Sequence, residues 1–172
     1  QYQWISEHKI VRSNLGVITN IRFDHLDEMG TTIKDIALSI SNTIPFNSSI
    51  LTSERKTSHI LEKIAKKRNS DFEIAEENIN QEYMNKMPFL EHPENISLAL
   101  KVCKKIGVSK AKALAGMLKT KPDPGALFIW NLKYKKNRNK FVSAFAANDP
   151  NSTKKVWDLI ITRDKSKRCV FL

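Results

Sequence analysis

The nine residues Asn20-Ile-Arg-Phe-Asp24-His25-Leu-Asp27-Glu28 follow directly on a short apolar run, Leu15-Gly-Val-Ile-Thr19. An imidazole flanked by carboxylates offers a mixed donor set suited to holding a divalent cation beside phosphate. The apolar run reads as a short buried strand. In α/β proteins ligands bind outside the carboxyl ends of strands, so this cluster is the first candidate for chemistry. The plainer reading is a solvated, charged loop, and the spacing alone does not choose between the two.

The elements that must position the cluster can be read around it. Gln1 to Asn14 is mixed, helical or irregular. After Gly30, Thr32 and Asp35 stand close to a capping box. Ile33, Ile36, Ala37 and Ile40 then form one helical face that stops near Asn42, ahead of Pro45. Ser49 to Thr52 reads as a strand. Glu54 to Arg68 reads as an amphipathic helix with Ile60, Leu61, Ile64 and Ala65 on one side. Phe72 to Ala75 is a weak strand, and Asn78 to Lys86 a loop or short helix. His92-Pro93-Glu94-Asn95 opens a helix carrying Ile96, Ala99, Leu100 and Cys103, which Gly107 ends. Ser109 caps another, with Ala113, Leu114, Met117 and Leu118. Pro122-Asp-Pro-Gly125 has turn chemistry. Ala126 to Leu132 and Lys140 to Phe145 read as strands joined through a charged tip, Lys133 to Asn139. Asn148 to Thr153 has the pattern of a strand-to-helix junction, followed by a helix face of Val156, Trp157 and Ile160. Arg168 to Leu172 begins a further strand. Strands and helices alternate through the first part, which argues an α/β fold.

At 172 residues and 41% hydrophobic, the chain is one domain, or one and a fraction, with enough apolar residues for a core. No apolar run approaches the ~18–20 residues that span a bilayer, and no signal-peptide pattern opens the chain. The first residue is Gln, not Met, so the chain is expected to be a piece of a longer protein, soluble by itself. Cys103 and Cys169 read as small core hydrophobes; a disulfide is the less favoured alternative, and their spacing excludes a zinc pattern. The net charge of +11 favours acidic partners without naming one: nucleic acid, anionic lipid, nucleotide phosphate or an acidic polymer. Lys66 to Arg68, Lys104-Lys105, Lys133 to Lys140 and Lys165 to Arg168 are its local concentrations.

Several segments together resemble the ATP-dependent ligase subunit of poly-γ-glutamate synthase, the PgsB/CapB family, a branch of the Mur ligase and folylpolyglutamate synthase superfamily. They are Gly16-Val-Ile-Thr-Asn20, Asp24-His25-Leu-Asp27, Met29-Gly30-x-Thr32, Thr43-Ile-Pro45, Asn95-x-Ser97-Leu-Ala-Leu100, Gly116-Met-Leu118, Pro122-Asp-Pro-Gly-Ala126, and Phe141-Val-x-x-Phe-Ala-Ala-Asn-Asp149. Their order and spacing run over nearly the whole chain. The resemblance implies an α/β fold made of the rear half of a Mur-ligase-like P-loop ATPase domain (residues 1–146, a mostly parallel sheet with flanking helices). The first elements of a truncated, Rossmann-like C-terminal domain (147–172) would follow. The family's glycine-rich phosphate loop and a later metal-binding Glu do not precede Gln1, so this piece is expected to be inactive alone.

What the resemblance implies for chemistry is an amide ligase. ATP phosphorylates a carboxylate, an amine attacks the acyl phosphate, and phosphate leaves; cations and rigid positioning do the catalytic work. On this resemblance His25 is the Mg²⁺ ligand, the alternative being a His that only hydrogen-bonds near the strand end. Asp24 and Asp27 would orient His25 or a metal-bound water, and Asn20 would either fix the loop or contact phosphate. Asn95 falls where related ligases meet adenine, with helix capping as the alternative. Asp149, with Asn148 beside it, matches the junction residue used on the nucleotide ribose. ATP and Mg²⁺ are thus the implied cofactors. Glutamate or poly-γ-glutamate is the implied substrate, and membrane-embedded subunits of a synthase the implied partners. The implied location is the cytoplasmic face of the bacterial inner membrane, with homo-oligomerisation left open. Two departures stand out. Ser39 and Ile40 occupy the place of the superfamily's modified Lys, so a carbamylated lysine is not supported. Leu127 and Phe128 follow the Pro-Gly segment where relatives carry a phosphate-binding Arg.

Two other classes compete. A basic nucleic-acid-binding module rests on the +11 charge alone, since interleaved aromatics are few and no recognition motif stands out; nucleic acid is therefore not an expected partner. A non-catalytic interaction piece is the other.

Overall fold

A computed structural model describes residues 2–76, 78–87, 91–121, 125, 127–145, 147 and 150–163. The chain divides into two compact units, Gln1–Lys86 with Glu91–Leu118, and Met87–Leu90 with Lys119–Leu172.

In the first unit, α1 (Tyr2–Ile5) runs into a π-helical turn, Ser6–Val11. Three strands, β1 (Gly16–Ile18), β2 (Ser49–Thr52) and β3 (Asp71–Ile74), form a parallel sheet in the order β1-β2-β3. Gly16 lies opposite Ile50, and Ile50 opposite Phe72. The crossover from β1 to β2 contains α2 (Leu26–Met29), α3 (Ile33–Ile40) and a 3₁₀ turn, Ser41–Thr43. The crossover from β2 to β3 contains α4 (Ser58–Lys67). After β3 come α5 (Gln81–Lys86), α6 (Pro93–Lys105) and α7 (Lys110–Met117).

Alternation along β2 builds the core on both faces of the sheet. Ile50 joins Ile18, Ile21, Ile36, Ala37, Ile44, Leu61 and Ala65, so α3 and α4 cover one face. Leu51 packs with Ala75 and Leu98, which puts α6 on the other. Gly16 lets β1 sit this close, because a Cβ there would lie 2.9 Å from both Ile50 Cδ1 and Pro45 Cδ. The apolar spacing of α3 and α4 is that expected from sequence: Ile36, Ala37, Leu61 and Ala65 are buried.

Two boundaries differ from the sequence expectation in the same unit and its neighbour. The helix expected from Glu54 starts at Ser58, because Glu54 turns its carboxylate inward to serve backbone donors instead. In the second unit, β4 (Phe128–Tyr134) and β5 (Asn137–Ser143) form an antiparallel hairpin. The charged tip is not a seven-residue loop: the ladder runs to Tyr134 opposite Asn137, leaving Lys135-Lys136 as the turn, with Lys135 at φ 53°. Cross-strand pairing outweighs the polar composition there. α8 (Pro150–Arg163) follows, as the junction pattern implied. Cys103 is a free, half-buried thiol on α6. Cys169 and the strand expected at Arg168 to Leu172 lie outside the described residues.

The capping box is present. Thr32 Oγ1 accepts from the Asp35 N–H (3.1 Å), and Asp35 Oδ2 accepts from the Thr32 N–H (3.2 Å) and hydroxyl (2.6 Å). Gly30 enters this cap at φ 106°, ψ 165°, a region essentially reserved for glycine. A Cβ there would lie 2.5 Å from Asp35 Cβ. Gly30→Ala is therefore expected to destabilise the chain by at least about 1–3 kcal/mol, read from the midpoint of a urea melt; an unchanged midpoint would show that the cap does not depend on Gly30.

Candidate functional site

The parallel sheet directs three carboxyl ends, Ile18, Thr52 and Ile74, to one edge. The loop after β1 carries the ligand cluster to that edge. His25 adopts the left-handed conformation (φ 47°, ψ 48°), uncommon for a residue with a side chain and costing roughly 1–2 kcal/mol. Its carbonyl accepts from the N–H groups of Glu28 (3.0 Å) and Met29 (2.8 Å), which starts α2. The Asp24 Oδ1 accepts from the His25 N–H at 2.9 Å, and Oδ2 lies 3.7 Å from His25 Nε2. The imidazole is 61% exposed, so it faces solvent with a carboxylate beside it.

The loop is fixed by a residue that the sequence reading treated only as part of a helix. Glu54, two residues past β2, is 6% exposed. Its Oε2 accepts from the Ile21 N–H at 2.9 Å and its Oε1 from the Thr57 N–H at 2.9 Å. The Glu54 N–H in turn donates to Thr52 Oγ1 at 2.9 Å. Ser53 adds a hydroxyl bond to the Thr19 carbonyl. Each crossover loop is thereby tied to the other at the carboxyl edge.

The amino end of α6 reaches the same edge. Arg22, from the β1 loop, pairs with Glu94 at 3.4 Å. Asn95 is in the first turn of α6, not at its cap: His92 is the N-cap, and the His92 carbonyl accepts from the Asn95 N–H at 3.0 Å. The Asn95 side chain therefore does not cap the helix; its Nδ2 donates to Glu91 Oε1 at 2.7 Å. Asn95 Oδ1 and Thr57 Oγ1 are buried without a partner among the described residues, leaving acceptor capacity unused at this edge. Further along, Glu73 on β3 pairs with Lys101 (2.9 Å) and Lys105 (3.1 Å) of α6, and both bonds hold its carboxyl below the usual carboxylate range.

The structure thus brings Asp24 and His25 into contact and sets Asn95 on an element tied to their loop. Asn20 is half-buried between β1 and Ile21, and Asp27 is exposed on α2. Asn148 and Asp149 lie outside the described residues. Among the described residues, no three His, Cys, Asp or Glu side chains come together to hold a metal ion. A closed, all-protein metal shell is therefore not what these residues build. Mg²⁺ characteristically keeps several waters and takes one or two protein donors plus substrate phosphates. An exposed His25 with Asp24 alongside fits that open kind of site. No helix among the described residues is long and apolar enough to cross a membrane.

Known proteins resemble this chain as follows. Residues 129–172 match the model of the poly-gamma-glutamate synthase CapB C-terminal domain. The chain is 36% identical over 160 residues to the capsule biosynthesis protein CapB of Bacillus anthracis, covering 92% of this chain and 34% of that protein. It is 38% identical over 157 residues to the PGA synthase CapB of Bacillus subtilis (strain 168), covering 91% of this chain and 40% of that protein. The chain thus spans well under half the length of these relatives. Among solved structures, a bifunctional folylpolyglutamate synthase/dihydrofolate synthase with Mn, AMPPNP and L-glutamate bound superposes with a TM-score of 0.66 at 14% identity, over 91% of this chain and 40% of that one. That likeness establishes the Mur-ligase-like α/β fold.

Two expectations follow from this geometry. Glu54→Ala leaves two buried N–H groups without an acceptor, at about 1–3 kcal/mol each. The Ile21 and Thr57 amides should exchange hydrogen faster in the variant, and unchanged protection of both would refute the tie. Glu73, whose carboxyl is held low by the folded state, contributes stability in full above the unfolded range near about 4.3. That contribution is lost as pH falls through the lowered folded value. The urea midpoints of wild type and Glu73→Gln should differ at pH 7 and converge in acid; a constant gap would remove the ion pairs as its cause.

Proposed function

We propose, from the premise that this chain is kin to the CapB poly-γ-glutamate synthases, that it forms part of the nucleotide- and metal-binding edge of an ATP-dependent amide ligase acting on glutamate or its γ-linked polymer. The observation that carries this reading is His25. It is a solvent-facing imidazole held in a left-handed backbone at the carboxyl edge of a parallel sheet, with Asp24 alongside and Glu54 fixing the loop behind it. Backbone strain of this kind clusters at active sites and ligand clamps, and here it falls on the residue that projects the imidazole.

In this reading ATP and Mg²⁺, when bound, supply the transferable phosphoryl group and the charge neutralisation that turn a carboxylate into an acyl phosphate open to attack by an amine. His25 and Asp24 are the donors this chain offers to the cation. Asp24, bonded to the His25 N–H, also fixes the backbone from which the imidazole projects. Asn95 Oδ1 and Thr57 Oγ1 offer acceptors to a nucleotide amino or hydroxyl group. Asn148 and Asp149 are assigned to the ribose on the same resemblance. Membrane-embedded subunits of a polymer synthase are the proposed partners of the parent protein, at the cytoplasmic membrane face. None of the five glycines is followed by Lys, so the phosphate-cradling loop of such enzymes is not in these 172 residues. The 172-residue chain is accordingly expected to show no turnover.

The test is Mg·ATP-dependent phosphate release by the full-length protein with glutamate or oligoglutamate as acceptor. His25→Ala should reduce it by at least the roughly 10–100-fold that even the partners of metal ligands are worth. Release unaffected by His25→Ala, or no release from the wild type across acceptors, would overturn the reading.

A further inference from the structure

The β4–β5 hairpin separates its side chains by chemistry. Cross-strand partners share a face in an antiparallel pair. Trp130 pairs with Phe141 and Phe128 with Ser143, and the rings of Phe128, Trp130 and Phe141 stack at centroid distances of 5.4 and 5.6 Å. Leu132 and Tyr134 continue that face. The opposite face carries Ile129 paired with Val142 at its base, then Asn131 paired with Lys140 and Lys133 paired with Arg138. Asn131, Lys133, Arg138 and Lys140 are exposed, and together with Leu132 and Asn139 of the other face they line a concavity of about 430 Å³.

Lys133 and Arg138 stand directly opposite each other, an arrangement that is destabilising between like charges. No carboxylate among the described residues pairs with either of them, and no Asp or Glu occurs anywhere between Pro124 and Asn148. Elsewhere in the molecule Lys66, Lys86 and Lys154 find carboxylates within one helical turn, and Lys101 and Lys105 find one on a neighbouring strand. The hairpin holds five cations (Lys133, Lys135, Lys136, Arg138 and Lys140) with no acid among them.

We infer that the cationic face of this hairpin is a binding site for a polycarboxylate chain with amide links, the γ-glutamyl polymer itself. Guanidinium and carboxylate match in a two-pronged geometry, which suits Arg138, while Lys133 supplies a compact charge beside it. The amide of Asn131, on the same face, both donates and accepts, so it can meet the N–H and C=O groups of an amide-linked chain. Single-stranded nucleic acid is the weaker fit, because binding it calls for bases stacked on aromatic rings on the same surface that tracks the phosphates. Here the stacked rings of Phe128, Trp130 and Phe141 occupy the face opposite Lys133, Arg138 and Lys140. The identity of the polymer rests on the ligase reading; the site itself rests on the hairpin.

Fluorescence anisotropy of the full 172-residue chain with a labelled γ-linked glutamate decamer tests it. Salt-sensitive binding is expected, weakened at least tenfold in Lys133→Gln/Arg138→Gln. Lys63→Gln/Lys67→Gln, an equal loss of charge on α4, should leave it within twofold. Equal weakening by both double variants, or none by either, would overturn the site. So would tighter binding of an oligothymidylate of the same length, or of phosphatidylglycerol vesicles in preference to the decamer. Failure here with His25-dependent phosphate release intact would remove the hairpin site and leave the ligase reading standing. Loss of the His25 dependence with decamer binding intact would do the reverse.

Discussion

The Glu54 carboxylate accepts backbone N–H groups from two loops, one 33 residues before it in the chain and one three residues after. Both donors sit at the edge of a core that admits no bulk water, so each needs a partner inside the protein. An acidic side chain with two oxygens satisfies both from one position, and charge-assisted bonds of this kind are stronger than neutral ones. The consequence is geometric. The β1 loop cannot drift away from the β2 loop without exposing a buried carboxylate and two orphaned donors. The left-handed turn at His25 persists because the chain on its amino side is fixed by this contact. On its carboxyl side it is fixed by the Gly30–Thr32–Asp35 cap.

The sheet and its flanking helices were legible in the sequence because they depend on periodicity. The apolar runs at Leu15 to Thr19 and Ser49 to Thr52 have strand length, and Ile33 through Ile40 and Ile60 through Ala65 repeat at helical spacing. The cap at Thr32 was legible because it requires only residues three apart. Asp24 and His25 were legible as candidates, since a ligand-rich stretch after an apolar run needs no tertiary knowledge to notice. Glu54 was not: its partners are Ile21 and Thr57 backbone groups, and nothing in the sequence distinguishes an acid that starts an amphipathic helix from one that turns inward. The hairpin turn was misplaced for a related reason. Lys133 to Asn139 has loop composition, but register propagates from the Trp130–Phe141 and Ile129–Val142 pairs out to Tyr134 and Asn137. Asn95 read as a helix start, and lies three residues inside it, because His92-Pro93 supplies the cap and first turn.

The charge of the chain is unevenly neutralised. Around the sheet, cations serve architecture: Lys101 and Lys105 reach Glu73 across from α6 to β3, and Arg22 reaches Glu94. These are half-exposed pairs of modest individual worth, yet they link the β1 loop to the amino end of α6 and the body of α6 to β3. In the hairpin, by contrast, positive charge is concentrated where the local sequence offers nothing to offset it.

The missing side chain at Gly16 has a bearing on how this strand can vary. A methyl group there would meet Ile50 and Pro45 at once, while its neighbour Val17 turns 47% of its surface to solvent. Diversification among descendants of this chain is thus channelled to alternate positions of a three-residue segment. Any drift at the inner position would push β1 off β2 and carry the imidazole with it.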